Sequence, residues 1–136
     1  MAKYSAFGTQ FKRGATVVAQ VTDISGPGLS LDTEDVTSHD STGGWEEVVG
    51  TILRSGEVSL TIEYDPNLAT HKNAAGGILA DLVSRASQTY SLVFPSTPAV
   101  TWTFTAFCTG FEPGAPVDGA LTADVTYKLT GQPTLA

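Results

Sequence analysis

Cationic side chains are scarce: seven Lys and Arg stand against fourteen Asp and Glu in 136 residues, a net charge of −7. A sequence-independent binder of DNA or RNA neutralises phosphates with a basic footprint, and this chain has none. This does not exclude a protein that nucleic acid passes without sticking, since the same negative field repels a phosphate backbone. Cysteine is scarcer still. Cys108 is the single one, so no intrachain disulfide can form. It lies beside the largely apolar stretch from Phe104 to Phe107 with no basic neighbour in sequence, and reads as a small buried hydrophobe rather than a reactive thiol. No apolar run of about 18 residues is present and the start lacks a signal-peptide pattern. No membrane partner is expected, and the chain reads as cytosolic at synthesis. Charged residues make up only 15%, leaving the polar surface to Thr, Ser and Gly. Charge is depleted in the cores of protein interfaces, so this composition hints at surfaces covered by other subunits.

What is present is strand alternation. In "EVSLTIEY", Val58, Leu60, Ile62 and Tyr64 alternate with Glu57, Ser59, Thr61 and Glu63. "TYSLVF" and "VTWTFTAF" repeat the pattern through Tyr90, Leu92 and Phe94, then Val100, Trp102, Phe104 and Ala106. In "LTADVTYKLT", Leu121, Ala123, Val125, Tyr127 and Leu129 oppose Thr122, Asp124, Thr126, Lys128 and Thr130. Such period-two patterning means antiparallel strands with one face in a core and one in water. "ATVVAQVTDI" gives an earlier strand and "LSLDTEDVT" a weaker one. Between Thr70 and Ser87, apolar residues recur at helical spacing through Ile78, Leu79, Leu82, Val83 and Ala86, with Gly76 and Gly77 weakening the first half. Pro27, Pro66, Pro95, Pro98, Pro113 and Pro116 fall between these elements. The expected fold class is mainly β, about six antiparallel strands in a sandwich or barrel-forming sheet with one α-helix packed on it.

The chain reads as a single domain, 1–136. Residues 1–14 hold Lys3, Lys12 and Arg13 and read as an N-terminal arm; 37–56 is a long hydrophilic loop; 70–87 is the helix; 131–136 is a short C-terminal tail. A loop of that length inside a compact domain is usually functional.

Chemical constellations are thin. Asp35, His39 and Asp40 are the best metal-ligand set, but no second His lies near and Gly, Ser and Thr surround them, so a solvated acidic loop is the simpler reading. Glu46 and Glu47 are adjacent and point to opposite faces if extended. Glu57 and Glu63 share a strand face but lie roughly 20 Å apart. Neither pair has the geometry of glycoside hydrolysis. His71 reads as a surface or capping residue. Phosphate-binding loops, nucleophile elbows and Cys–His metal patterns are missing from the sequence. An enzyme is not expected, nor a metal or cofactor. Trp102 alternates with apolar neighbours and reads as core; Trp45 in the loop reads either as an interface anchor or as packed on its own domain.

With those residues in view, the sequence resembles the major tail tube proteins of long, non-contractile-tailed bacteriophages. "AFGTQFKRG" is similar to the family's N-terminal arm, and "ISGPGLSLDTEDVTSHDS" to its turn and strand ending in Asp-Val-Thr. "GTILRSGEVSLTIEYDP" resembles its Gly-bounded return into a strand, and "APVDGALTADVTYKLTG" its closing strand. The resemblance implies a structural virion protein, made in the bacterial host cytoplasm, whose homo-hexameric rings stack into a hollow tail. It implies a passive conduit for DNA during ejection, with tape measure, tail terminator and tail tip or baseplate proteins as partners. A further immunoglobulin-like C-terminal domain is not expected.

In such a tube the polar strand faces Glu57, Ser59, Thr61, Glu63 and Thr122, Asp124, Thr126, Lys128 are the lumen candidates. The basic arm (Lys3, Lys12, Arg13) and the loop (Asp35, His39, Asp40, Trp45, Glu46, Glu47) are candidates for contacts between subunits and rings, having opposite sign. The loop is expected to order on assembly. The alternatives are a tail terminator or connector ring, and a free-standing β-sandwich carbohydrate-binding module.

Overall fold

The computed structural model describes residues 3–135; Met1, Ala2 and Ala136, at the ends of the expected arm and tail, lie outside the described residues. Among the described residues the elements run β1 (Gln10–Arg13), β2 (Thr16–Val17), β3 (Val21–Ser25), β4 (Ser30–Asp35), β5 (Val48–Arg54), β6 (Glu57–Glu63), α1 (Ile78–Ser84), β7 (Gln88–Phe94), β8 (Val100–Gly114) and β9 (Thr122–Leu135). Seven strands make one antiparallel sheet in the order β2-β1-β7-β8-β9-β6-β3, while β4 and β5 pair only with each other. The sheet curls until β1 meets β3, and α1 lies against β8. No helix is long and apolar enough to cross a membrane among the described residues.

The alternation read from the sequence sets the two faces of this sheet. On β6 and β9, Val58 pairs with Tyr127, Leu60 with Val125 and Ile62 with Ala123, and all six are buried. Phe11, Leu92, Phe104, Ala106 and Ile78 complete the core from β1, β7, β8 and α1. Its centre is aromatic. Tyr90 lies 5.5 Å from Phe11 and 4.6 Å from Tyr127, centroid to centroid. Full burial of each large side chain contributes about 1.5–3 kcal/mol, so this cluster is the main source of stability.

Several expected boundaries change. The stretch "ATVVAQVTDI" is two strands, because Gln20 takes a left-handed φ of 61° and turns the chain between β2 and β3. The turn puts Val18 in the core at 3% exposure and leaves Val17 at 42%. The expected arm ends early: Gln10–Arg13 is a strand of the sheet, anchored by fully buried Phe11. The helix is only Ile78–Ser84, since Gly77 is its extended N-cap and Gly76 has φ 92°. A side chain at Gly77 would meet the Lys72 carbonyl, so glycine is required there.

At the other end, 131–135 is no tail. The sheet passes through Gly131 at φ 77°, and Thr134 and Leu135 pair with Thr103 and Trp102. Pro113, expected between elements, lies inside β8, and Pro133 lies inside β9. Both are tolerated because β7 pairs with β8 only up to Ala106, and β6 with β9 only up to Lys128. Each proline therefore has a free strand edge beside it.

The largest change concerns 37–56. Val48–Arg54 is a strand, so the irregular part of the expected loop is chiefly its first half, 37–47. The hairpin β4–β5 leaves the sheet where Gly26, Gly28 and Gly56 bring two backbone segments, 26–28 and 56–58, close together. A Cβ at Gly26 would run into the Glu57 carbonyl oxygen, and one at Gly56 into that of Gly28.

Candidate functional site

Two surfaces carry the sequence candidates. The first is the solvent face of the sheet. Register places Glu57 opposite Lys128, Ser59 opposite Thr126, Thr61 opposite Asp124 and Glu63 opposite Thr122. All eight expected wall residues thus form one two-strand patch, and Thr61 donates a hydrogen bond to Asp124 at 3.2 Å. The patch continues into β8, where Glu112 and Gly114 face Asp124 and Thr122, and into β3 through Ser25 and Asp23. Toward the other edge, Thr105 lies between Thr89 and Thr130, and Thr103 between Ser91 and Thr134. Hydroxyls on β-branched side chains favour extended backbone, so apart from buried Ser91, exposed Phe107 and the two lysines the face is a mostly neutral ladder with carboxylates.

The second surface is the hairpin. Every residue of β5 is exposed, and β4 buries little more. Leu31 pairs with Leu53, and Val48 with Asp35, across a bulge. Leu53 is 82% exposed and Trp45 78%, with Leu31, Ile52, Val48 and Val49 also open. Arg54 Nε donates to Asp32 at 2.8 Å and ties the two strands at the base. At the tip, Glu47 N–H donates to Thr37 Oγ1 at 2.8 Å and Val36 N–H to the Glu47 carbonyl at 2.9 Å, closing the connection. A 3-10 turn, Thr42–Gly44, carries Trp45 outward; Gly43 is left-handed beneath the indole, where a Cβ would come within 3.1 Å. Between the hairpin base and the end of β9 runs an open apolar cleft of about 550 Å³, lined by Leu29, Leu31, Leu53, Pro133 and Leu135.

The metal candidates do not converge. The Asp35 carboxylate accepts the Thr37 N–H at 2.9 Å, and its hydrogen bonds to Thr37 hold it below the usual carboxylate range. Asp40 gives its N–H to Ser38 Oγ, and His39 is exposed. Among the described residues no three His, Cys, Asp or Glu side chains gather as a ligand set.

The basic candidates are split. Lys12 pairs with Ser91 on the solvent face, whereas Arg13, one residue on, is aimed at the core. Arg13 makes a two-pronged ion pair with Asp81, Nε to Oδ2 and Nη2 to Oδ1, both 2.8 Å. Tyr90 donates its hydroxyl to the same carboxylate at 2.8 Å. The Asp81 hydrogen bond raises the Arg13 pKa, while burial foremost raises those of Tyr90 and Tyr127. Burial pushes the Cys108 thiol up to about 11, as a small core residue requires. Arg13 is therefore an internal anchor and not a free cation for another ring.

Two tryptophan readings and one histidine reading resolve as well. Trp102 is half-buried against Phe94, edge to face at 5.2 Å. Trp45 projects into solvent. His71, expected at the surface, is fully buried; its Nε2 meets the Ala19 carbonyl at 2.7 Å and its Nδ1 accepts the Asp65 N–H at 3.2 Å. It pins the turns before α1 to the bend between β2 and β3, a long-range role that no local pattern signals.

No family model and no curated protein matches the chain. Solved structures do. A chain of the virion of a native gene transfer agent (GTA) particle superposes with a TM-score of 0.79 at 15% identity, over 98% of this chain and 99% of that one. A chain from the tail of an empty GTA particle, refined with C6 symmetry, gives 0.73 at 17% identity, over 98% and 99%. The sheath/tube terminator structure of an extracellular contractile injection system, PVC, contributes a chain at 0.75 and 13% identity, over 100% and 98%. The protein has a tail-tube-like fold. This agrees with the sequence resemblance to tail tube proteins at the level of fold, across the whole length rather than in one motif. Within that tail-tube-like fold the exposed hairpin and the hydroxyl-lined sheet face are two surfaces its own core does not use.

Proposed function

We propose that this protein is the structural subunit of a tail tube, assembling as stacked homo-hexameric rings whose lumen passes DNA without binding it. The observation that carries the reading is the hairpin β4–β5, exposed on both faces, whose strand β5 opens apolar Val48, Val49, Ile52 and Leu53 to solvent. A lone two-stranded hairpin is marginal in water, and an open apolar edge strand invites pairing with another chain. A copy-to-copy contact accounts for both. The C6 symmetry of the matched GTA tail supports six copies per ring. On this reading the Thr-rich face with Glu57, Glu63, Asp124 and Glu112 is the lumen wall, repelling the phosphate backbone. The protein then works in the tail of a virion-like particle after synthesis in the bacterial cytoplasm. Tape measure, terminator and tip or baseplate proteins are its neighbours, and it carries out no catalysis.

A terminator is the second reading, because structures of a tube terminator and of a tube terminating cap also match at TM-scores of 0.75 and 0.71. Electron microscopy of the purified protein at rising concentration separates them. Hollow filaments are expected. Isolated rings that never stack favour the terminator, and a persistent monomer overturns assembly and leaves a binding module.

A further inference from the structure

Resting on the tube reading, we propose that the hairpin tip of one subunit docks on the α1 surface of a second copy, Trp45 covering Val83 with Glu46 and Glu47 facing Lys72 and Arg85. Residues 29–55 hold six carboxylates against one guanidinium, a net charge of −5, and that guanidinium, Arg54, is already bonded to Asp32. The tip therefore needs a cationic receiver. Of the seven cations, Arg13 is spent on Asp81 inside the chain, Lys128 stands opposite Glu57 on the wall, and Lys3 is an isolated exposed charge ahead of the first strand. Lys12 lies among the hydroxyls of the same wall. Residues 66–87 are different. They expose Lys72 and Arg85 and no free carboxylate, since Asp81 is 3% exposed and held by Arg13 and Tyr90.

In a chain of net charge −7 this is a purely cationic exposed stretch. It also opens an apolar side chain to solvent: Val83, two residues before Arg85 in sequence, is 62% exposed. The tip offers the counterpart, an apolar Trp45 beside two exposed carboxylates. A Trp anchor with a charged rim is the usual anatomy of an interface centre. The hairpin cannot satisfy this on its own body: β4 and β5 pack on each other, and a seven-residue strand carries the tip roughly 20 Å from its base.

Zero-length carbodiimide coupling of wild-type protein tests the contact. Unlabelled and ¹⁵N-labelled protein are mixed as monomers, assembled and coupled, and the joined peptides are read by mass spectrometry. The expected product joins Lys72 to Glu46 or Glu47 in mixed-isotope pairs, at least tenfold above the dilute monomer. Filaments whose tip carboxylates couple to Lys3, Lys12 or Lys128 overturn the docking and leave the tube reading standing. So do joined peptides that are never isotopically mixed. If the wild type forms no filaments, both fall. As a second measurement, K72E with R85E should raise the critical concentration at least tenfold, and adding E46K with E47K should restore it; absence of rescue counts against the pairing.

Discussion

At the scale of single residues, the core holds one charged arrangement and one mismatch. Asp81 receives three hydrogen bonds, two from Arg13 and one from Tyr90, with little water to replace them. Asp81→Ala leaves a guanidinium and a phenol without their acceptor, and the expected loss is about 3 kcal/mol in urea unfolding. Tyr127 is the contrast: its hydroxyl is buried and has no hydrogen-bond partner. Tyr127→Phe deletes a desolvated polar atom and keeps the ring, so its effect should stay within about 0.5 kcal/mol or stabilise. Equal losses for the two variants would show that Asp81 is not the anchor. The sequence placed Tyr127 and Tyr90 in the core correctly by alternation. It could not pair Arg13 with Asp81, which lie 68 residues apart, and so counted Arg13 as a surface cation.

At the scale of elements, legibility followed burial. β6 to β9 show period-two alternation because one face of each packs on the core, and their paired polar faces could be read directly. β5 shows none. "VVGTILR" is apolar on both faces, and a strand without an inside has no alternation to read, so Gly50 and its neighbours pointed to a loop. The same property makes the hairpin dispensable to the fold. Of residues 29–55 only Ser41 is buried, and Gly28 already touches Gly56 at the exit. Replacing residues 30–54 by a short glycine linker should leave cooperative unfolding within about 1 kcal/mol of wild type, because almost no apolar area leaves a core. Filament formation should be abolished. A body that no longer unfolds cooperatively would mean the hairpin belongs to the domain core and is not an assembly arm.

For the whole molecule, one sheet separates two environments with opposite demands. Its inner face needs shape, which Phe11, Tyr90, Phe104 and Tyr127 supply. On the proposed reading its outer face has to hold water and refuse phosphate, which requires only hydroxyls and an excess of carboxylates over cations. That looseness explains why an aromatic core can be recovered from pattern while the wall looks like undistinguished Thr-rich strand, and why the fold persists at 13–17% identity to the matched chains. If the wall refuses DNA through charge, reversing its charge should reverse its behaviour. Glu57, Glu63 and Asp124 all point from the two paired strands, away from the core. The triple variant Glu57→Lys, Glu63→Lys, Asp124→Lys should fold normally and form filaments that retain short duplex DNA at low salt. Retention should fall steeply with added salt, as counterion release requires. Wild-type filaments should retain none at any salt concentration. Tight binding of DNA by the wild type, or none by the variant, would remove electrostatic repulsion from the account of how the wall works.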